Sequence, residues 1–336
     1  MAAPAPEAME AAGEWYHAWF IGIILTTLSR RGPDDAVALV FRVFRQQQQA
    51  RFLPGLAKLG LTGLPPAIAA ARYHYLSNAI GGVGVEYHEE SSRKAWIRYP
   101  PPRWIWQGTA ICGIPPAVNA AMLRGWHAQN GVSLDCPRLG FVCTGQTVEG
   151  DPGLEGYYLE YAHDLREDER LRFTREERMP HFDPAAAPML PAAWSPERLA
   201  KAKRGYAMEY ARSAMQAAEA LWGGEAAGAL LGLAARLVAM QHAHKTALAL
   251  GVAGQGVLPF LQALAAAQGD VAQLEGNMLT QPDAALLRGL TLHPAVIRAW
   301  SELHGGAILA LDRDARCIFS AADGVLRWNV EAARSG

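Results

Sequence analysis

At 336 residues, with 51% hydrophobic and 19% charged content, the chain has enough apolar material for a sizeable interior, which excludes a disordered polymer. Thirty-one Lys and Arg stand against 32 Asp and Glu, a net charge of -1. The basic excess that displaces phosphate counterions is missing, so nucleic acid is not an expected partner. Four cysteines, Cys112, Cys136, Cys143 and Cys317, are too scattered for a disulfide scaffold and form no Cys-x-x-Cys pair, so free thiols in a reducing cytoplasm are expected.

Residues 1–12 are Pro/Ala-rich and read as a disordered start. From Glu14, Trp15, Trp19 and Ile23 recur every fourth residue, the stripe of a helix packed on a core. The apolar run from Trp15 to Leu28 contains His17 and falls short of the roughly twenty residues a bilayer needs. Glu7, Glu10 and Glu14 precede it without Lys or Arg, so it is no secretory signal either. Gly32-Pro33-Asp34-Asp35 ends this helix and opens the next, to about Lys58; Pro65-Pro66 opens a third, to about Asn78.

After Gly81-Gly82 the period changes to two, and GVGVEYHEESSRKAWIRYP reads as two strands joined by a polar Glu-Glu-Ser-Ser turn. A helix is predicted from Pro116 to Asn130, then strands at LGFVCTG and GYYLEYAH. Residues 164–195 are first densely charged, then Pro-rich, and read as a solvated linker. The uncharged stretch Thr246 to Gly269 is cut by Gly251, Gly254, Gly256 and Pro259, so helix, turn and helix describe it better than a membrane span. No membrane association is expected.

Shifting the chain by 191 positions places Tyr206 and Tyr210 on Trp15 and Trp19, Gly223 on Gly32, Arg236 on Arg45, and Leu250, Gly251 and Gly254 on Leu59, Gly60 and Gly63. The expected object is therefore an α+β protein whose helical layers pack on short antiparallel sheets, internally duplicated in a pseudo-twofold arrangement. Residues 13–163 form the first copy and 196–333 an abbreviated second, whose GAILALDRDARCIFSAADGVLRWNVEAA supplies two or three strands with turns at Asp312-Arg313-Asp314 and Asp323-Gly324.

Several residues from 14 to 162 carry a resemblance. Trp15, Trp19 and Phe20 open the helical region, an Arg-containing WIRYPPPRW ends the strand pair, Cys112 precedes a helix-forming stretch, and GQTVEGDPGLEGYYLEY follows. Together they resemble the L-2-amino-thiazoline-4-carboxylic acid hydrolase family. The resemblance implies opening of a small nitrogen- and sulfur-containing ring by water with help from a cysteine. Cys112 would be the first family cysteine, with Thr147, Glu149, Gly150 and Asp151 as the turn before the last strand. The chain departs from the pattern in reading Leu154, Glu155 and Gly156 where the family places cysteine and aspartate, and Pro100 to Pro102 where it has an Arg-x-x-Cys-Pro turn. If that later cysteine is the nucleophile, this chain acts on another substrate or only binds.

The residues themselves suggest candidates. Cys112, before a helix beginning near Pro115-Pro116, would be an activated thiolate if the helix amides face it, and an inert thiol otherwise. His127 is a candidate base for Cys112 or for Cys143, which otherwise packs as an inert strand residue. Glu86 and His88 share a strand face, and with Glu160 on a neighbouring strand they would make an acid–base or divalent-metal site; open-face charge is the alternative. His74, Tyr75 and Asn78 end the third helix, where they line a pocket or merely cap it. Arg98, Trp104 and Tyr158 complete the expected binding wall.

The function expected is an enzyme acting on a small organic molecule, hydrolase-like at a C–N or C–S bond, without cofactor. Two alternatives stay open: a ligand-binding or sensory module of the 4-vinyl-reductase type, and a cofactor-free lyase or cyclase using Glu, His and Tyr. The expected partner is a small-molecule substrate or ligand, with a homodimer left open.

Overall fold

The computed structural model describes residues 4–189, 194–322 and 324–331. They form an α+β protein of two compact units, Arg31–Trp194 and the pair of segments Met1–Arg30 and Ser195–Gly336. The division differs from the expected one because the first helix, α1 (Pro6–Arg31), clusters with the C-terminal segment. Its aromatic stripe decides this. Trp19 Nε1 donates to the Leu231 carbonyl at 3.3 Å, the Tyr16 hydroxyl accepts from Trp300 Nε1 at 3.0 Å, and the Trp15 ring meets Phe260 edge-on. The start is also not disordered where described: the helix begins at Pro6, and Met9, Ala11 and Ala12 are buried. Residues 1–3 lie outside the described residues.

Gly32, at φ 95°, ends α1, and Pro33 with two carboxylates in the first turn starts α2 (Pro33–Lys58). The unit Arg31–Trp194 continues with α3 (Pro66–Ile80), β1 (Glu86–Ser91), β2 (Lys94–Tyr99), α4 (Pro116–Gly125), α5 (Asn130–Ser133), β3 (Leu139–Gly145), β4 (Leu154–Glu160) and β5 (Leu171–Phe173). The sheet order is β1-β2-β4-β3-β5, antiparallel except for β3 and β5. Strand alternation gives the sheet two faces. Ala95, Ile97 and Tyr99 of β2 lie in register with Tyr158, Gly156 and Leu154 of β4 on the face toward α3, whereas Trp96 and Tyr157 point outward.

The outer face is covered by the segment expected to be a linker. β5 joins the sheet, Met179 is buried against Trp96, Val142 and Tyr157, and the Tyr157 hydroxyl donates to Glu177 at 2.6 Å. The charges of residues 164–184 made the segment read as solvated, but its apolar members, Met179 and Phe182, face the sheet. Residues 190–193 lie outside the described residues.

The other unit adds α6 (Pro196–Trp222), α7 (Gly224–Ala249), α8 (Val257–Gln268), β6 (Gln273–Glu275), β7 (Met278–Pro282), α9 (Pro294–Leu311), β8 (Arg316–Ala322) and β9 (Val325–Glu331), with sheet order β6-β7-β9-β8. The expected strand at GAILAL is instead the end of α9, and the β6–β7 hairpin was not anticipated, so this unit is not abbreviated. Asp323 of the predicted turn lies outside the described residues. A shift of 191 carries the bounds of α2 onto those of α7 and the start of α3 onto that of α8. Beyond these helices both units run hairpin, helix, hairpin, with β1-β2-β4-β3 matched by β6-β7-β9-β8. Among the described residues, α7 is the one helix apolar and long enough to cross a membrane by composition, and half of its most apolar window is buried within its unit.

The unit holding β1–β5 depends on a close approach of α4 to α2. A Cβ added at Gly125 would lie 2.7 Å from the Phe41 carbonyl oxygen and 3.0 Å from the Arg45 nitrogen. Gly125→Ala is therefore expected to cost about 1–3 kcal/mol by forcing the helices apart. Gly84→Ala, whose Cβ would meet only Pro100 Cγ at 4.0 Å, should leave the urea midpoint nearly unchanged.

Candidate functional site

Alternation along β2 and β4 sends Tyr99 and Tyr158 toward α3, where the helix presents His74. The 3-10 turn after α4 brings in His127, α5 brings Asn130, and α2 brings Gln48. The imidazoles of His74 and His127 stack with centroids 4.2 Å apart and planes 16° apart, and both also stack on the Tyr158 ring. Phe141 packs beside His127 and Tyr158. It has room because Gly156, diagonally across on β4, carries no Cβ; one there would come within 2.6 Å of the Phe141 ring.

The hydrogen bonds of this cluster run in one direction. Arg45, which can only donate, bonds the Gln48 side-chain oxygen. Gln48 Nε2 must then be the donor toward Asn130 Oδ1 at 3.3 Å. Asn130 Nδ2 in turn donates to His74 Nε2 at 3.1 Å and to the Tyr158 hydroxyl at 2.8 Å. With Nε2 accepting, neutral His74 carries its proton on Nδ1 and donates to the Tyr99 hydroxyl at 3.0 Å; that hydroxyl donates onward to His127 Nε2 at 3.5 Å. In that arrangement the His127 proton sits on Nδ1, a buried atom with no hydrogen-bond partner.

Arg103, four residues past Tyr99, lies with its guanidinium carbon 5.3 Å from the Tyr99 ring centroid. It is 7% exposed, and its buried Nε has no partner. Burial draws its pKa down to about 10. The same loss of water holds His74 near 3 and His127 well below the usual range, the latter helped by His74 and Arg103, and raises the Tyr99 and Tyr158 hydroxyls. The centre is thus two neutral imidazoles and two protonated phenols beside one cation.

Of the sequence candidates, the fold brings together His74, His127 and Tyr158. Cys143 is buried on the same sheet face, in register with Gly156, and burial pushes its thiol up to about 12. It also borders a cavity of about 280 Å3 with Gln146, Glu149, Phe173, Thr174 and Arg175. Cys112 is exposed in a 3-10 turn, Gly108–Gly113, that ends before α4, and Pro115 and Pro116 at the start of that helix carry no N–H group.

The expected convergence of Glu86, His88 and Glu160 is also corrected. β2 separates β1 from β4, Glu86 pairs with Arg98 on the outer face, and Glu160 bonds Arg138 at 2.6 Å. Arg98 lies there too, 3.8 Å from Glu155. Tyr75 packs tilted against Tyr87 and Phe182, Asn78 donates to the His74 carbonyl at 2.7 Å, and Trp104 is half-buried after β2. Among the described residues, no group of three or more His, Cys, Asp or Glu is placed to hold a metal ion.

Sequence reasoning missed Tyr99, Arg103, Asn130 and Gln48. The alternation that placed Ala95 and Ile97 inward carried the signal for Tyr99; Asn130, Gln48 and Arg103 had none. No family model matches the chain, and neither a curated protein nor a solved structure does.

The neutral histidines make stability depend on pH. An unfolded chain protonates His74 below about 6.5, while the native fold resists until about 3. The His74 contribution to native stability should therefore be complete above pH 6.5 and fall as pH drops toward 3, by roughly 1.4 kcal/mol per unit, and His127 acts in the same direction. Urea titrations from pH 7 to 4 should show a shallower loss in His74→Gln. A native His74 resonance titrating near pH 6.5 would contradict the assignment.

Proposed function

We propose that the unit Arg31–Trp194 is an enzyme acting on a small organic molecule, with His127 and Tyr99 at its chemical centre. The directed chain from Arg45 to His127 supports this reading. With the Tyr99 hydroxyl donating to Nε2, it presents a neutral imidazole whose Nδ1–H is suited to polarise a carbonyl or imine without a full positive charge. Tyr99 and His74 behind it can return a proton to Nε2 when charge develops. The reaction class is hydrolase-like, at a C–N or C–S bond of a small ring, as the family resemblance implies; a lyase would use the same groups. Thiol catalysis is the weaker reading, since burial holds the Cys143 thiol protonated and Cys112 is exposed in a turn outside the cluster.

The repeated element order supports reading the two units as copies. Ala265, buried in α8, occupies the place to which the shift of 191 carries His74, so the chemistry is assigned to the unit holding β1–β5 alone. The complete burial of His74, His127 and Tyr158 favours a second reading, a binding module that encloses its ligand without turnover.

Turnover of a panel of small thiazolines, lactams and cyclic imides, followed by mass spectrometry, tests the proposal. Tyr99→Phe and His127→Gln should lower activity by about 100-fold or more, and Cys112→Ser should leave it intact. Loss of activity in Cys112→Ser with full activity in Tyr99→Phe would reverse the assignment. A ligand retained intact in native mass spectra, with no panel member turned over, would favour the binding module.

A further inference from the structure

The cavity of about 280 Å3 bordered by Cys143 of β3 and Phe173 of β5 has a wall built by a second directed chain. Trp106 Nε1, which can only donate, bonds Asn119 Oδ1 at 3.1 Å. Asn119 Nδ2 then donates to Gln146 Oε1 at 2.9 Å, and Gln146 Nε2 to Glu149 Oε2 at 3.1 Å. All three donor side chains are buried, and Gln146 also gives its backbone N–H to Asp151 Oδ2 at 2.8 Å. Two carboxylates are thus fixed at the cavity by groups that cannot reverse. Their second oxygens, Glu149 Oε1 and Asp151 Oδ1, have no hydrogen-bond or ion-pair partner among the described residues. The cation beside them is Arg175, 3.0 Å from Glu149 and 3.3 Å from Asp151, with its side chain 64% exposed. Exposed pairs of this kind hold weakly, so Arg175 is readily displaced, whereas the carboxylates stay where the buried chain puts them.

We propose that this cavity binds a small organic cation with N–H donors, a primary ammonium or a guanidinium, which takes the place of Arg175 on Glu149 and Asp151. The proposal uses none of the protons assigned at His127 and stands apart from the functional reading. Two fixed carboxylates match a cation that can donate to both. Phe173, half exposed on the same cavity, offers a ring on which such a cation packs. The local field has the right sign, since Glu149, Asp151 and Glu155 add to burial in keeping the Cys143 thiol protonated. An organic anion would meet that field with the wrong charge. A divalent ion of the calcium type takes six to eight oxygens, and among the described residues no group of three or more His, Cys, Asp or Glu is placed to hold one. The cavity lies just below the usual size of ligand sites, so the occupant is small.

The test uses the full chain at constant ionic strength, with benzylammonium and methylguanidinium as probes. Benzyl alcohol and N-methylurea are their neutral counterparts, benzoate is the anion, and calcium is the inorganic alternative. At least one organic cation should raise the melting temperature saturably and shift the backbone amide resonances of Thr144, Gly145 and Thr174, while its neutral counterpart does neither. Glu149→Gln should weaken that binding roughly tenfold or more. Arg175→Gln, which removes only exposed pairs, should tighten it about two- to fivefold by leaving both carboxylates to the ligand. Should Glu149→Gln fail to fold, Asp151→Asn provides the second reading, with binding again weakened.

No saturable response to either organic cation, or an equal response to the neutral counterparts, benzoate or calcium, would overturn the inference. So would undiminished affinity in Glu149→Gln or Asp151→Asn, and binding left unchanged or weakened in Arg175→Gln. Amide shifts confined to other parts of the chain would put the cation elsewhere and sink the assignment of this cavity.

Discussion

Arg45 has hydrogens to give and no lone pair with which to accept one, and that asymmetry sets the direction of the hydrogen bonds from α2 to the centre of the sheet. Gln48 is oriented by it, Asn130 by Gln48, His74 by Asn130, and the Tyr99 hydroxyl by His74. A buried network of amides and imidazoles normally has two proton arrangements of similar energy. Anchoring one end on a group that cannot reverse removes the second as far as the Tyr99 hydroxyl, whose own hydrogen has His127 Nε2 within 3.5 Å. Burial then keeps both imidazoles neutral, since either would have to be charged out of reach of water and near Arg103.

The scaffold serves this chain by closing both faces of one sheet in different ways. Toward α3 the sheet presents Tyr99, Tyr158, Phe141 and Cys143, a face where polar atoms are satisfied mainly by one another. On the opposite face Trp96, Tyr157 and Val142 are covered by Met179 and Phe182, and the salt bridges of Arg98 and Lys94 lie at that outer surface. Glycine makes the inner face possible. Gly125 lets α4 approach α2 closely enough for His127 and Gln48 to join the same network, and Gly156 leaves the space that Phe141 fills.

The two units follow one plan and differ in what the plan holds. Where the first places His74 in α3, the second has Ala265 in α8. His304 of the second unit meets Trp300 edge-on and packs tilted against Trp328 instead of stacking on another imidazole. An aromatic cluster surrounds His304 in that unit, and among its buried polar groups Gln281 donates to Asp270.

Much of this was legible in the sequence, because it depends on neighbours along the chain. Periods of four and two set the helices and strands, Gly32-Pro33 and Gly254 marked the turns, and the shift of 191 anticipated that the bounds of α2 and α7 correspond. The segment Leu171 to Phe182 misled, since its charges outnumber the few apolar side chains that decide where it lies. His74, His127 and Tyr158 could be singled out as polar or aromatic residues in apolar surroundings. Their meeting could not, and neither could the roles of Tyr99, Asn130 and Arg103. Local pattern says which way a side chain points from its own helix or strand. Only the order of strands and the approach of α2 and α4 to the sheet determine which side chains share one dry space, and so which proton each can hold.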